Sequence, residues 1–153
     1  MATIRPFKGF RPTPELCSKV AALPYDVMTS KEAREMVKND PYSFLHVDRA
    51  EIDLPENVDI YSKEVYEKAA SNLNKMIEDK VIIQDNKPVF YIYSLTMNGR
   101  EQIGLVVCTS IDEYLNNTIK KHEFTRADKE QDRINHVDYC NANTGPIFLT
   151  YKN

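Results

Sequence analysis

Two adjacent stretches, IYSKEVYEKAASNLNKMIEDK (60–80) and VFYIYSLTMNGREQIGLVVCT (89–109), decide the fold class of this 153-residue chain. In and just after the first, Val65, Tyr66, Ala69, Ala70, Leu73, Met76, Ile77 and Val81 recur at helical spacing, while Lys63, Glu64, Glu67, Lys68 and Lys75 take the other side. That pattern predicts the longest helix of the chain, amphipathic and packed on one face. The second stretch is rich in β-branched and aromatic residues and is broken at Asn98-Gly99. Both central positions of a type I′ turn need φ > 0, which Asn and Gly tolerate best, so the pair predicts a hairpin. A long helix beside a hairpin implies an α+β fold: a mixed sheet that includes the Asn-Gly hairpin, with about four to five helices packed on it.

Upstream, Val81-Ile82-Ile83 predicts a short strand before a turn at Asp85-Asn86. The first 28 residues carry Pro6, Pro12, Pro14 and Pro24. Proline fixes φ and restricts its predecessor, so residues 1–28 should form an extended start. A short helix is expected there from Thr13 as cap to about Ala22, with Pro24-Tyr25-Asp26-Val27 extended. Thr29-Ser30-Lys31-Glu32 is a capping-box pattern for a helix ending near Asn39-Asp40. Ser43–Val47 then predicts a short strand, and the acidic, proline-containing Glu51–Asp59 a loop.

Downstream, Ser110-Ile111-Asp112-Glu113 is a second capping-box pattern, for a short helix through Asn117. Thr118–Glu123 reads as a connection or short strand. Thr125 should cap a last helix over Arg126–Asn141, which Gly145-Pro146 breaks before a strand over Ile147–Tyr151. An apolar strand with nothing after it suggests the amino-terminal part of a larger α/β protein, a fold incomplete without its carboxy-terminal part.

Hydrophobic residues make up 42% and charged residues 28% of the chain, a globular balance. Twenty basic side chains against 23 acidic ones give −3, so no whole-chain field attracts nucleic acid or an anionic membrane. Neither a membrane-spanning run nor a signal-peptide core is visible. Cys17, Cys108 and Cys140 are odd in number, widely spaced and without a Cys-x-x-Cys pair, which points to a reducing compartment and to the cytoplasm. With four glycines and neither Gly-x-Gly-x-x-Gly nor Gly-x-x-x-x-Gly-Lys, Rossmann and P-loop nucleotide sites are excluded.

The densest chemistry lies in Lys120–Arg133. Unpaired N–H groups and the helix dipole make a helix start suited to anions, and Lys120, Lys121 and Arg126 surround this one. Lys129, Arg133 and His136 follow at i, i+4 and i+7. In the functional reading Arg126 and Arg133 clamp phosphate oxygens, and Glu123 acts as general base or metal ligand. In the bland reading Asp128, Lys129, Glu130, Asp132 and Arg133 pair locally on a solvated face, and the residues alone favour that. A metal held by protein ligands is not expected: HExxH is absent, and His122 and His136 fit no zinc spacing.

Several blocks together resemble one family. Pro24-Tyr25-Asp26-Val27, Pro41–Val47, His122-Glu123-x-Thr125 with Lys129-Glu130-x-Asp132-Arg133, and Asn143–Leu149 look like the amino-terminal signatures of the domain-of-unknown-function family 1015, across essentially the whole chain. The resemblance implies a bacterial or archaeal cytoplasmic protein of more than twice this length. It further implies a likeness to ParB-like nucleotide-binding domains and free-serine kinases through an Asp-Gly-His-His-Arg block that this chain lacks. The order of blocks here differs from ParB, and Asn does not follow Glu123.

With that resemblance, the phosphate- or nucleotide-binding half-site becomes the better reading. It comprises Glu123 as the catalytic candidate and Lys121, His122, Thr125, Arg126, Lys129 and Arg133 as phosphate-binding candidates. Tyr25, Asp26, Ser43 and His46 would line the same cleft. The implied ligands are ATP, ADP or CTP with Mg²⁺, none held tightly, together with a small-molecule substrate. The full-length protein would then be a nucleotide-dependent small-molecule (serine) kinase, the fragment alone being inactive. The alternatives are a ParB-like regulatory module binding DNA or protein without catalysis, and a structural half-domain with no ligand. Implied partners are the remaining carboxy-terminal part of the same protein, with no membrane and no nucleic acid at this piece.

Overall fold

The computed structural model describes residues 2–121 and 125–150. The chain divides into two compact units, Met1–Phe10 with Gln84–Thr125, and Arg11–Ile83 with Arg126–Asn153.

The first unit is built on strands. β1 (Ile4–Arg5) pairs antiparallel with Cys108–Thr109, and Phe7 exchanges backbone hydrogen bonds with Val89. Gln84 ends a strand, Ile82–Gln84, that pairs with Phe10–Pro12; through these two strands, β2 (Phe10–Pro12) and β3 (Ile82–Gln84), the chain passes between units. β4 (Tyr91–Met97) and β5 (Arg100–Val106) run antiparallel in register from Tyr91↔Val106 to Met97↔Arg100. Between them Asn98 and Gly99 have φ of 51° and 76°, the left-handed region that a type I′ turn uses. After β6 (Cys108–Thr109) comes a five-residue helix, Ile111–Leu115, whose start is capped by Ser110 Oγ accepting from the Glu113 N–H at 3.4 Å. Glu113 does not complete a box. Its carboxylate instead accepts from the backbone N–H and the hydroxyl of Thr3, both at 2.7 Å.

The second unit is helical and holds the core. It contains α1 (Cys17–Val20), α2 (Ser30–Met36), α3 (Leu45–Asp48), α4 (Lys63–Glu78) and, after α5 (Ile111–Leu115) of the first unit, α6 (Ala127–Cys140). The capping box at Thr29 forms in full: Thr29 Oγ1 accepts from the Glu32 N–H, and the Glu32 carboxylate accepts from the Thr29 N–H at 2.8 Å. On α4, Val65, Tyr66, Ala69, Leu73 and Met76 are buried, the face that the three–four spacing predicts. Val65, Ala69, Leu73 and Met76 pack with Val20, Val47, Ala50, Val81, Ile82 and Cys140, and a smaller cluster joins Ala33, Val37, Leu45 and Ile52. Burying a side chain the size of Leu45 or Val47 stabilises by about 1.5–3 kcal/mol. Arg34 fastens the chain after α3, donating to the carbonyls of Ile52, Leu54 (3.0 Å) and Glu51 (3.1 Å).

Several local expectations are corrected. Ser43–Val47 is not a strand: Leu45–Asp48 is helical, with the Arg49 N–H donating to the Leu45 carbonyl. A five-residue apolar run cannot distinguish a strand from a buried helical turn by periodicity. Tyr25–Val27 is a 3₁₀ turn rather than extended, and Ala50–Asp53 is another at the head of the expected loop. Residues 1–28 hold two short strands, the short helix α1 and a 3₁₀ turn. The first helix is four residues with Leu16, not Thr13, at its N-cap; Thr13 opens the preceding turn, its carbonyl accepting from the Leu16 N–H at 3.0 Å and its N–H donating to the Val81 carbonyl at 3.1 Å. Residues 146–150 form no strand. The fold is α+β as expected, but in place of one mixed sheet carrying the helices, the described residues form three two-stranded sheets, and α4 packs on α3 and α6. Among them no helix is long and apolar enough to cross a membrane.

Candidate functional site

Within the helical unit, α6 presents Lys129, Asp132, Arg133 and His136 to a cavity of about 60 Å³. Spacing of i, i+3, i+4 and i+7 puts these four on one helix face. The 3₁₀ turn at Tyr25, the α3 end at Asp48-Arg49 and the following Glu51 supply the opposite lining, and Tyr61 and Tyr66 close the sides.

Arg133 is the best-placed cation. Its guanidinium carbon lies 4.4 Å from the centre of the Tyr25 ring, a cation–π geometry, and its Nε and Nη2 donate to Asp132 Oδ2 at 3.2 and 2.9 Å. Asp132 also accepts from the Tyr66 hydroxyl at 3.0 Å. One turn earlier, Lys129 Nζ donates to the Tyr61 hydroxyl at 2.6 Å, a contact that raises the lysine pKa.

Arg49 holds the opposite lining together. Nη1 donates to the Tyr25 carbonyl at 3.0 Å and Nη2 to Ser30 Oγ at 2.7 Å, while Ser30 Oγ donates to Glu51 at 2.8 Å. Arg49 Nε lies 3.0 Å from Glu51 Oε1, an ion pair by distance, yet its buried N–H has no acceptor within hydrogen-bond geometry. Burial pushes the Asp48 carboxyl above its ordinary value, against a hydrogen bond with Thr144 and the charges of His136 and Arg133. His136 is structural: buried, with Nε2 3.1 Å from the Val47 carbonyl. Beside it, burial raises the Cys140 thiol to about 11.

The structure brings part of the expected site together. Lys129, Arg133 and Tyr25 meet at the cavity. His122 and Glu123 lie outside the described residues. Lys121 belongs to the strand unit, its Nζ 4.6 Å from the Tyr114 ring centre, and Thr125 falls in that unit too. Thr125 does not cap α6; the N-cap is Arg126, without a side-chain cap. Arg126 is exposed and forks onto Asp128 at 3.1 and 2.7 Å. The Asp128 carboxyl lies below its ordinary value: desolvation pushes it up, but hydrogen bonds from Arg126, that residue's charge and the N–H groups of Asp128 and Lys129 together outweigh this. The helix start therefore holds an anion of its own.

Ser43 lines a separate groove of about 310 Å³ with Leu23, Met36, Val37 and Asp40. His46 takes part in neither: its Nδ1 meets Asp53 at 2.9 Å and its Nε2 the Asp40 carbonyl at 3.1 Å. Asp26 lies in the 3₁₀ turn but not in the cavity lining.

The family model for proteins of unknown function DUF1015 matches residues 4–153. The chain belongs to the DUF1015 family. No curated protein and no solved structure matches it. Sequence reasoning missed Asp48, Arg49, Glu51 and Tyr61 in this DUF1015 chain, and gave Asp132 only a local pairing role. One signal was available: Asp48-Arg49-Ala50-Glu51 places three charges between the apolar residues Val47 and Ile52. Charged side chains are almost never buried unless paired, so such a stretch marks a buried polar network.

Proposed function

We propose that the cavity between α6 and the Tyr25–Glu51 segments binds a small oxyanion, the phosphate of a nucleotide or of another phosphorylated small molecule. One observation carries this: Arg49, Lys129 and Arg133 converge on one cavity. A guanidinium edge is suited to planar, two-point recognition of phosphate oxygens.

Size limits what enters. About 60 Å³ corresponds to roughly two water molecules, far below the roughly 300 Å³ of the smallest drug-sized sites. A phosphate group fits, whereas the base and ribose of ATP, ADP or CTP would remain outside. Among the described residues no group of three or more His, Cys, Asp or Glu could hold a metal ion, so Mg²⁺ would arrive coordinated by the phosphates. A kinase-like extension would use the same grip for positioning, as phosphoryl transfer requires.

Isothermal titration of the chain with inorganic phosphate, and with ATP, ADP and CTP plus Mg²⁺, tests the reading. Binding that weakens at least tenfold in Arg133→Ala and Lys129→Ala supports it. No binding of any of the four, or binding indifferent to both substitutions, removes it. A structural reading is favoured by one specific feature: Arg133 and Asp132 already neutralise each other. That reading predicts no phosphate binding and a loss of stability in Arg133→Ala.

A further inference from the structure

We infer that Asp132 is an internal competitor for the phosphate, a specificity-determining carboxylate that occupies the Arg133 fork when no ligand is bound. The inference rests on the phosphate reading and extends it to how affinity is set.

The geometry is that of a stand-in. Arg133 directs both Nε and Nη2 at one oxygen, Asp132 Oδ2, at 3.2 and 2.9 Å. Two parallel donors on one edge are what a phosphate would use, so ligand and carboxylate contend for the same pair. The pair is poised between burial and solvent: the Arg133 side chain is 33% exposed and Asp132 only 11%. Asp132 is retained from the other side, since the Tyr66 hydroxyl on α4 donates to its Oδ1. Tyr25 meanwhile fixes the plane of the guanidinium from its face, leaving the edge to change partner.

Binding therefore requires Arg133 to exchange one oxyanion for another. The competitor is part of the chain, one residue away, and cannot diffuse off. The result is weak binding that favours dianionic phosphate over singly charged carboxylates, which offer Arg133 nothing that Asp132 does not. Tyr66 tunes the exchange: its hydroxyl spreads the Asp132 charge and loosens the hold on Arg133.

The experiment titrates inorganic phosphate, with acetate as comparison, into the wild type and three variants whose folding is verified by thermal melts. Asp132→Asn should tighten phosphate binding by about tenfold and narrow the preference over acetate. Asp128→Asn removes the same unit of charge from the same helix at the Arg126 fork, and should change affinity less than about twofold. Tyr66→Phe should weaken binding two- to threefold, roughly, by concentrating charge on Asp132. It also serves if Asp132→Asn does not fold. Unchanged or weaker binding in Asp132→Asn, equal tightening in Asp128→Asn, or tighter binding in Tyr66→Phe overturns the competitor role while phosphate binding stands. No phosphate binding by wild type and Asp132→Asn alike overturns the phosphate reading, and the competitor with it.

Discussion

His46 and Asp53 form an ion pair across the end of α3, Nδ1 to Oδ1 at 2.9 Å, and Asn72 of α4 donates to Asp53 Oδ2 at 2.8 Å. The His46 pKa is raised, first by the Asp53 hydrogen bond, against desolvation and with the charges of Asp53 and Asp40 adding. Burial pushes Asp53 up, but the hydrogen bonds of His46 and Asn72 and the charges of His46 and Lys68 bring it below its ordinary value. A raised histidine contributes stability in full below about pH 6.5, lost as pH rises through its folded value. A lowered aspartate contributes above about pH 3.8, lost as pH falls through its folded value. The pair therefore contributes most between about pH 4 and 6.5. Urea unfolding should show His46→Gln less stable than wild type by roughly 1 kcal/mol at about pH 5.5, with a smaller gap at about pH 9. An equal gap at both values would remove the charged pair.

Cys140 is buried and its thiol stays protonated, with a pKa of about 11. The thiolate is the reactive form, so this side chain should not react at neutral pH. Cys17 and Cys108 are exposed. Iodoacetamide followed by mass spectrometry should add two labels to the native chain and a third only in denaturant.

Gly9 admits no side chain. A Cβ there would lie 2.8 Å from the Tyr91 hydroxyl, which accepts from the Gly9 N–H at 2.7 Å and donates to Asp85 at 2.6 Å. Gly9→Ala must displace Tyr91 from both bonds, and overpacking of this kind costs about 1–3 kcal/mol. Denaturant unfolding followed by circular dichroism measures the loss, and Gly104→Ala, where the nearest atom is 4.0 Å away, is the control.

Leu45 is 1% exposed in the smaller core cluster, whereas Leu115 is 71% exposed at the end of α5. Leu45→Ala should cost about 2–5 kcal/mol and Leu115→Ala less than about 0.5 kcal/mol. Equal losses in denaturation would show that α3 does not bury Leu45 as described.

Legibility followed the length and regularity of each signal. Residues 60–80 carry enough turns for spacing alone to identify the helix and its buried face, and the Thr29–Glu32 box is a local chemical device readable without tertiary context. Ser43–Val47 was misread because its environment on all sides, rather than its period, determines its backbone. The cavity was half legible. Lys129, Arg133 and Tyr25 stand out as residue types, but Arg49 and Glu51 come from a short irregular segment whose role appears only once it is folded against α6. Arg126 stands out through the general affinity of helix starts for anions and Thr125 as a candidate cap, and sequence could not show that Asp128 satisfies this helix start.

The β4–β5 ribbon has a physical cost beyond its own unit. Ile92 and Ile103 are 76% and 66% exposed, and among the described residues the ribbon has two strands, so its outer edges carry backbone donors and acceptors outside its ladder. Such edges beside apolar side chains recruit strands from other molecules. At high protein concentration this ribbon is where self-association by strand addition would nucleate, and charged residues placed at 92 and 103 would be the natural solubilising substitutions.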